Sequence, residues 1–169
     1  MITLKCTRNL LELVGGVTIE SPPASTSVLG DWYANIVPTA AGELVAFANE
    51  KTLLSVALSV EMLDSLVPSF VARVYNLLRI IKVPEKVALQ ECTEMEDVEF
   101  SKTSSRSIVG SLGQISFHYQ LIAERDVDHK PLSISHEELI LSRMLHKPLD
   151  YEYPADIAKK LLSERYGDW

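Results

Sequence analysis

Apolar and polar residues alternate from the start of the chain. Ile2, Leu4 and Cys6 stand against Thr3 and Lys5, the period of a half-buried strand. Residues 9–14 then carry a brief helical pattern that stops at Gly15-Gly16. Ser21-Pro22-Pro23-Ala24-Ser25-Thr26-Ser27 has the turn-forming composition of a surface loop and is too short to link two domains. Three runs rich in β-branched, aromatic and aliphatic residues follow, at 32–39, 43–49 and 53–60, with a turn around Ala41-Gly42. They predict an antiparallel meander. Over 61–83 the period changes to that of a helix, and Leu63, Leu66, Val67, Phe70, Val71, Val74, Leu77, Leu78 and Ile81 form one stripe to pack on the sheet. Pro68 interrupts this pattern, so the helix either kinks there or begins near Ser65.

Beyond Pro84 the chain reads as a short extended segment or helix through Cys92, followed by an acidic loop containing Glu94, Glu96, Asp97 and Glu99. The stretch 105–125 carries two periods at once. Ile115, Phe117 and Tyr119 alternate as in a strand, whereas Ile108, Leu112 and Ile115 follow helical spacing. Two further helices are predicted at 136–145 and 154–166, the second with Pro154 in its first turn and Gly167 just past its end. Strands come early and helices late, which predicts an α+β fold: an N-terminal antiparallel sheet packed against a long helix, with a helical C-terminal third. Residues 1–169 read as a single domain without internal repeats.

Composition narrows the class. The 47% of hydrophobic residues suffices for one substantial core, and the charged fraction of 23% with a mean hydropathy of +0.10 is far from that of a disordered chain. The net charge of −7, with Glu91, Glu94, Glu96, Asp97 and Glu99 crowded together, disfavours a nucleic-acid partner, which needs a basic face to release counterions. Cys6 and Cys92 form no CxxC pair and suit a reducing compartment as small buried residues. The opening residues carry no long apolar targeting segment, and no window approaches the length of a membrane span, so a soluble cytoplasmic protein is expected.

Two constellations could carry chemistry. The first joins Gly30-Asp31-Trp32-Tyr33-Ala34-Asn35 to Asn49-Glu50-Lys51-Thr52, which a hairpin brings side by side. If residues of like parity pair, Tyr33, Asn35, Phe47 and Asn49 share one face, and Trp32, Ala34, Ile36, Leu44 and Ala46 the other. The mixed face is either a ligand site or an ordinary polar sheet surface. The second is Lys102-Thr103-Ser104-Ser105-Arg106-Ser107, with Gly110 and Gly113 after it. A helix starting near Ser104 or Ser105 would set free amides, hydroxyls and two cations around a phosphate, sulfate or carboxylate. It is not a Walker loop, because the glycines follow the lysine. The competing reading is a helix cap with solvent-exposed charges. His118, His129, His136 and His146 lack any metal-binding spacing, so neither a metal nor a cofactor is expected. No GxSxG elbow or activated cysteine motif marks a nucleophile.

Leu29-Gly30-Asp31-Trp32-Tyr33-Ala34-Asn35, Asn49-Glu50-Lys51-Thr52 and Lys102-Thr103-Ser104-Ser105-Arg106-Ser107 with Gly110-Ser111, in this order, resemble a family of uncharacterised small bacterial proteins, a domain of unknown function. The resemblance covers about the first two-thirds of the chain. It implies a bacterial source and a shared polar centre, and brings no activity or catalytic residue with it. The candidate ligand-binding residues are Asp31, Tyr33, Asn35, Asn49, Glu50, Lys51, Lys102, Thr103, Ser105, Arg106 and Ser107. The expected function is a binding or regulatory module that recognises an anionic small molecule or partner protein. Two alternatives stand beside it. One is a hydrolase or transferase on a phosphorylated or nucleotide substrate, with toxin-like nuclease action as a branch, using Asp31 or Glu50 as acid-base group. The other is a structural interaction domain forming homo-oligomers through a sheet edge or the C-terminal helices.

Overall fold

The computed structural model describes residues 1–15, 17–40, 42–125 and 134–169. Its centre is a five-stranded sheet in the order β4-β3-β2-β1-β5, built from β1 (Ile2–Cys6), β2 (Trp32–Thr39), β3 (Gly42–Asn49), β4 (Ser55–Ser59) and β5 (Val98–Lys102). The expected α+β fold is therefore present, and β2, β3 and β4 form the antiparallel meander. The sheet as a whole is mixed, because β1 runs parallel to both β2 and β5. Parallel neighbours need a crossover connection, and residues 7–31, which include the short helix α1 (Arg8–Val14), provide it between β1 and β2.

The stretch read as an acidic loop ends in a strand. Within β5, Val98 and Phe100 alternate with Glu99 and Ser101, and register with β1 pairs Leu4 with Phe100 and Lys5 with Ser101. The acidic side chains masked this period-2 pattern.

The β2–β3 hairpin also corrects the expected face assignment. Thr39 pairs with Gly42, so the connection is two residues long, Ala40 and Ala41, the latter outside the described residues. A two-residue connection pairs odd positions with even ones: Tyr33 faces Ala48, Asn35 faces Ala46, and Trp32 faces Asn49. Asn49 and Phe47 thus lie on the side of Trp32, while Tyr33 and Asn35 share the opposite side with Ala46 and Ala48.

Helices cover both faces. On the first, Trp32, Phe47, Leu4 and Val56 pack against Phe70, Val74 and Leu77 of α2 (Leu66–Ile80), with contributions from α1, α3 (Glu85–Thr93) and α6 (Pro154–Tyr166). Phe70 stands edge-on to Trp32 at 5.2 Å and against Phe47 at 4.6 Å between ring centroids. Pro68 causes no kink. It is the third residue of α2, where its missing amide has no helical acceptor to lose, and a 3₁₀ turn over Val60–Ser65 leads in.

On the second face, α4 (Arg106–Arg125) and α5 (Ile134–Leu141) cover Tyr33, Val37, Ala46, Ala48 and Ala57. The small alanines let α4 lie close to the sheet. Its helical spacing prevails over the strand-like alternation: Leu112, Ile115 and Tyr119 are buried, and Phe117 is exposed to solvent. The helices expected at 136–145 and 154–166 correspond to α5 and α6. Gly16 and residues 126–133 lie outside the described residues.

Candidate functional site

The alternation of β1 determines the character of the site. Ile2, Leu4 and Cys6 enter the first core, so Thr3 and Lys5 project from the second face, beside Tyr33 on β2. A lysine in a central strand needs partners, and two carboxylates supply them. Lys5 Nζ lies 3.0 Å from Asp31 Oδ2 and 2.7 Å from Glu50 Oε2. The second oxygen of Asp31 accepts the Thr3 backbone N–H at 2.9 Å. Burial works against the charge on Lys5, but hydrogen bonds and attraction from Glu50 and Asp31 outweigh it and lift the pKa above its ordinary value. Lys5 is thus a fixed cation rather than a base. It also lies 5.4 Å from the centroid of the Tyr33 ring.

Tyr33 connects this charged cluster to the second constellation. Its ring is buried, and its hydroxyl lies 3.0 Å from Ser104 Oγ and accepts the Ser105 N–H at 3.1 Å. Ser105 caps α4: its Oγ accepts from the Ile108 N–H at 3.4 Å, and its carbonyl receives the first helical bond from Val109. Thr103, Ser104, Ser105 and Arg106 line a shallow groove of about 490 Å³ with Val109 and Gly110.

The groove lies just past the carboxyl end of β5, at the start of α4. β1 and β5 are adjacent and parallel, yet α1 after β1 packs on the first face, through Leu10, while α4 after β5 packs on the second. Where the connections of two parallel neighbours diverge, a crevice opens beyond the carboxyl ends of the strands, the usual place for a ligand in such sheets. Thr7, between β1 and α1, donates its hydroxyl to Asn35 Oδ1 at 2.9 Å.

The remaining candidates have other positions. Asn49 is fully buried and completes the turn after β3: Nδ2 donates to the carbonyls of Leu29 and Asp31, and Oδ1 accepts from Lys51 N, Thr52 N and Thr52 Oγ1. Lys51 Nζ donates to the Val28 carbonyl at 3.0 Å. Lys102 pairs with Cys6 in register and so has the parity of the first face, away from α4. Ser107 is exposed and does not line the groove. The structure thus joins Asp31 with Glu50, and Tyr33 with Ser104 and Ser105, but leaves Lys102 and Lys51 apart from the groove.

Several partners were missed by reading local motifs. Lys5 and Thr7 were legible only as the polar row of β1. Glu91, one of the crowded acids that disfavour a nucleic-acid partner, is fully buried and accepts four hydrogen bonds, from Ser27, Val28, Leu29 and Tyr166. Glu138 is buried on α5 and paired with Arg73. Burial pushes both the Cys6 and Cys92 thiols up to about 12, with Glu91 and Glu96 adding to the effect at Cys92, so neither is a nucleophile at neutral pH. Burial, then the nearby His118, lowers the pKa of His146. Among the described residues no three His, Cys, Asp or Glu side chains gather as a metal site, and His129 lies outside them. No helix among the described residues is long and apolar enough to cross a membrane.

No curated protein and no solved structure matches the chain. A family model does, over residues 3–157, which hold β1 from Thr3, β2 to β5, the Lys5–Asp31–Glu50 cluster and the Ser104–Arg106 groove. The chain therefore belongs to the family described as Domain of unknown function (DUF6933).

Proposed function

We propose that the chain is a binding or regulatory module whose polar centre recognises an anionic group on a small molecule or a partner protein. The observation that carries this reading is the Tyr33 hydroxyl hydrogen-bonded to both Ser104 and Ser105, which anchors the start of a 20-residue helix beside the groove that follows β5. Ser104, Ser105 and Arg106 line one groove, and the serine hydroxyls, the Arg106 backbone amide and its guanidinium are donors of the kind that suits a phosphate, sulfate or carboxylate. Arg106 is exposed and has no carboxylate partner among the described residues, which leaves its charge available to a ligand.

The acid-base alternative has less support. Both oxygens of Asp31 are engaged, one by Lys5 and one by the Thr3 amide, and Glu50 is held by the same lysine. Such a cluster ties β1, β2 and the turn after β3 together. In a thermal-shift series with inorganic phosphate, the wild-type chain should be stabilised in a saturable manner and Arg106→Ala should lose that stabilisation. A wild-type chain indifferent to phosphate, sulfate and carboxylates would remove the basis for the proposal.

A further inference from the structure

We infer that Glu91 is a positioning residue for the polar centre, and that the C-terminal helix α6 reaches that centre through it; this rests on reading the centre as a binding site. Glu91 lies on α3, on the first face of the sheet, and is fully buried. Its Oε1 accepts from Ser27 Oγ at 2.5 Å and from the Leu29 N–H at 2.9 Å. Its Oε2 accepts from the Val28 N–H at 3.2 Å and the Tyr166 hydroxyl at 3.0 Å. A buried carboxylate without a cation is tolerated only when its lone pairs are occupied, and these four neutral donors occupy them. Burial and the neighbouring Glu91 push the phenol of Tyr166 above its ordinary range, so it remains a donor.

Residues 27–29 lead directly into the charged cluster. The Gly30 N–H closes a turn onto the Ser27 carbonyl at 3.1 Å, with Gly30 at a φ of +81°, and Asp31 follows with its carboxylate on Lys5 and Thr3. The same short loop receives Lys51 Nζ on the Val28 carbonyl and Asn49 Nδ2 on the Leu29 carbonyl. Glu50 in turn donates its backbone N–H to the Asp31 carbonyl at 3.0 Å. Glu91 is the acceptor in α3 for three consecutive residues of this loop, Ser27, Val28 and Leu29, and so shares with Asn49 and Lys51 in setting the direction in which Asp31 leaves it. Tyr166 lies beyond the residues that the family model matches, so the family description does not account for the coupling to α6.

Two substitutions in the full chain test the inference. In Glu91→Gln, whichever way the amide turns, its NH₂ group faces either the Leu29 or the Val28 N–H, and one backbone donor loses its acceptor. Tyr166→Phe is milder and removes the α6 link alone. Amide hydrogen exchange followed by NMR should quicken at Val28, Leu29, Gly30 and Glu50 by about tenfold or more in Glu91→Gln, and to a smaller extent in Tyr166→Phe. Exchange at Val45 and Phe47 in β3 should keep its wild-type rate. The Kd for inorganic phosphate should weaken in both variants. Uniform acceleration across the chain, unchanged exchange in Tyr166→Phe, or localised acceleration with an unchanged phosphate Kd would each overturn the positioning role. If the wild-type chain binds no phosphate, the anion reading fails, and this inference falls with it even where the exchange pattern shows the loop loosened.

Discussion

Replacing Glu138 with glutamine should flatten one step in the pH dependence of stability. Glu138 reaches from α5 to the edge strand β4, where Oε1 accepts the Ala57 N–H at 3.1 Å and two Arg73 donors at 2.7 and 3.2 Å. At 1% exposure the carboxyl has lost nearly all its hydration. Burial raises its pKa from 4.5 to about 6, while Arg73 and the Ala57 N–H act in the opposite direction. Desolvation outweighs the ion pair. Because the folded-state pKa exceeds the unfolded one, the native chain holds this proton more tightly. The group therefore favours folding most below about pH 4.5, and that contribution is lost as the pH rises to about 6. The loss amounts to about 2 kcal/mol, with little reduction from solvent screening for so buried a group. Glutamine is neutral across this window. Urea unfolding of both chains from about pH 4 to about pH 7 isolates the effect, because other titrating groups cancel in the difference. The stability of wild type relative to Glu138→Gln should fall by about 2 kcal/mol over that range. Parallel profiles would refute the claim that desolvation dominates at this site.

The charged cluster and its link to α4 give further predictions. Lys5→Met leaves Asp31 and Glu50 facing each other without their cation and should cost about 2 kcal/mol in urea unfolding, between the values for exposed and fully buried pairs. A cost below about 0.5 kcal/mol would show that the cluster is screened as a surface pair is. Tyr33→Phe removes the acceptor for the Ser105 N–H and the Ser104 contact, and should destabilise the chain by about 1–2 kcal/mol. Its effect should be concentrated in faster exchange at the first turn of α4, and equal acceleration along the helix would contradict the anchoring role. Cys6 and Cys92 should not react with a thiol reagent at neutral pH in the native chain and should react fully in denaturant; rapid native labelling would contradict their burial.

Local periodicity revealed most of the elements. The stripe from Leu66 to Ile81 identified α2, and the alternation in β1 and the meander placed their strands, since each signal arises from one element's own buried face. What escaped depends on relations between elements. β5 was hidden because Glu99 lies at its polar positions within an acidic run, and only pairing with β1 reveals that run as a strand. The grouping of Tyr33 with Asn49 failed on a single residue of hairpin length, which reverses every face assignment beyond the turn. At the site, Asp31, Tyr33 and Arg106 were legible as chemistry. The pairing of Asp31 with Lys5 and of Tyr33 with Ser104, and the distinction between Glu91 in the interior and Glu94 at the surface, depend on tertiary contacts that no local pattern encodes.

Whether the groove at the start of α4 holds an anion is decided by an NMR titration of the isotope-labelled chain with inorganic phosphate. An anion site there gives saturable shifts concentrated at the amides of Ser104, Ser105 and Arg106, with the Arg106→Ala chain weakened by about tenfold or more. Shifts that never saturate, that centre elsewhere on the molecule, or that persist unchanged in Arg106→Ala would contradict it.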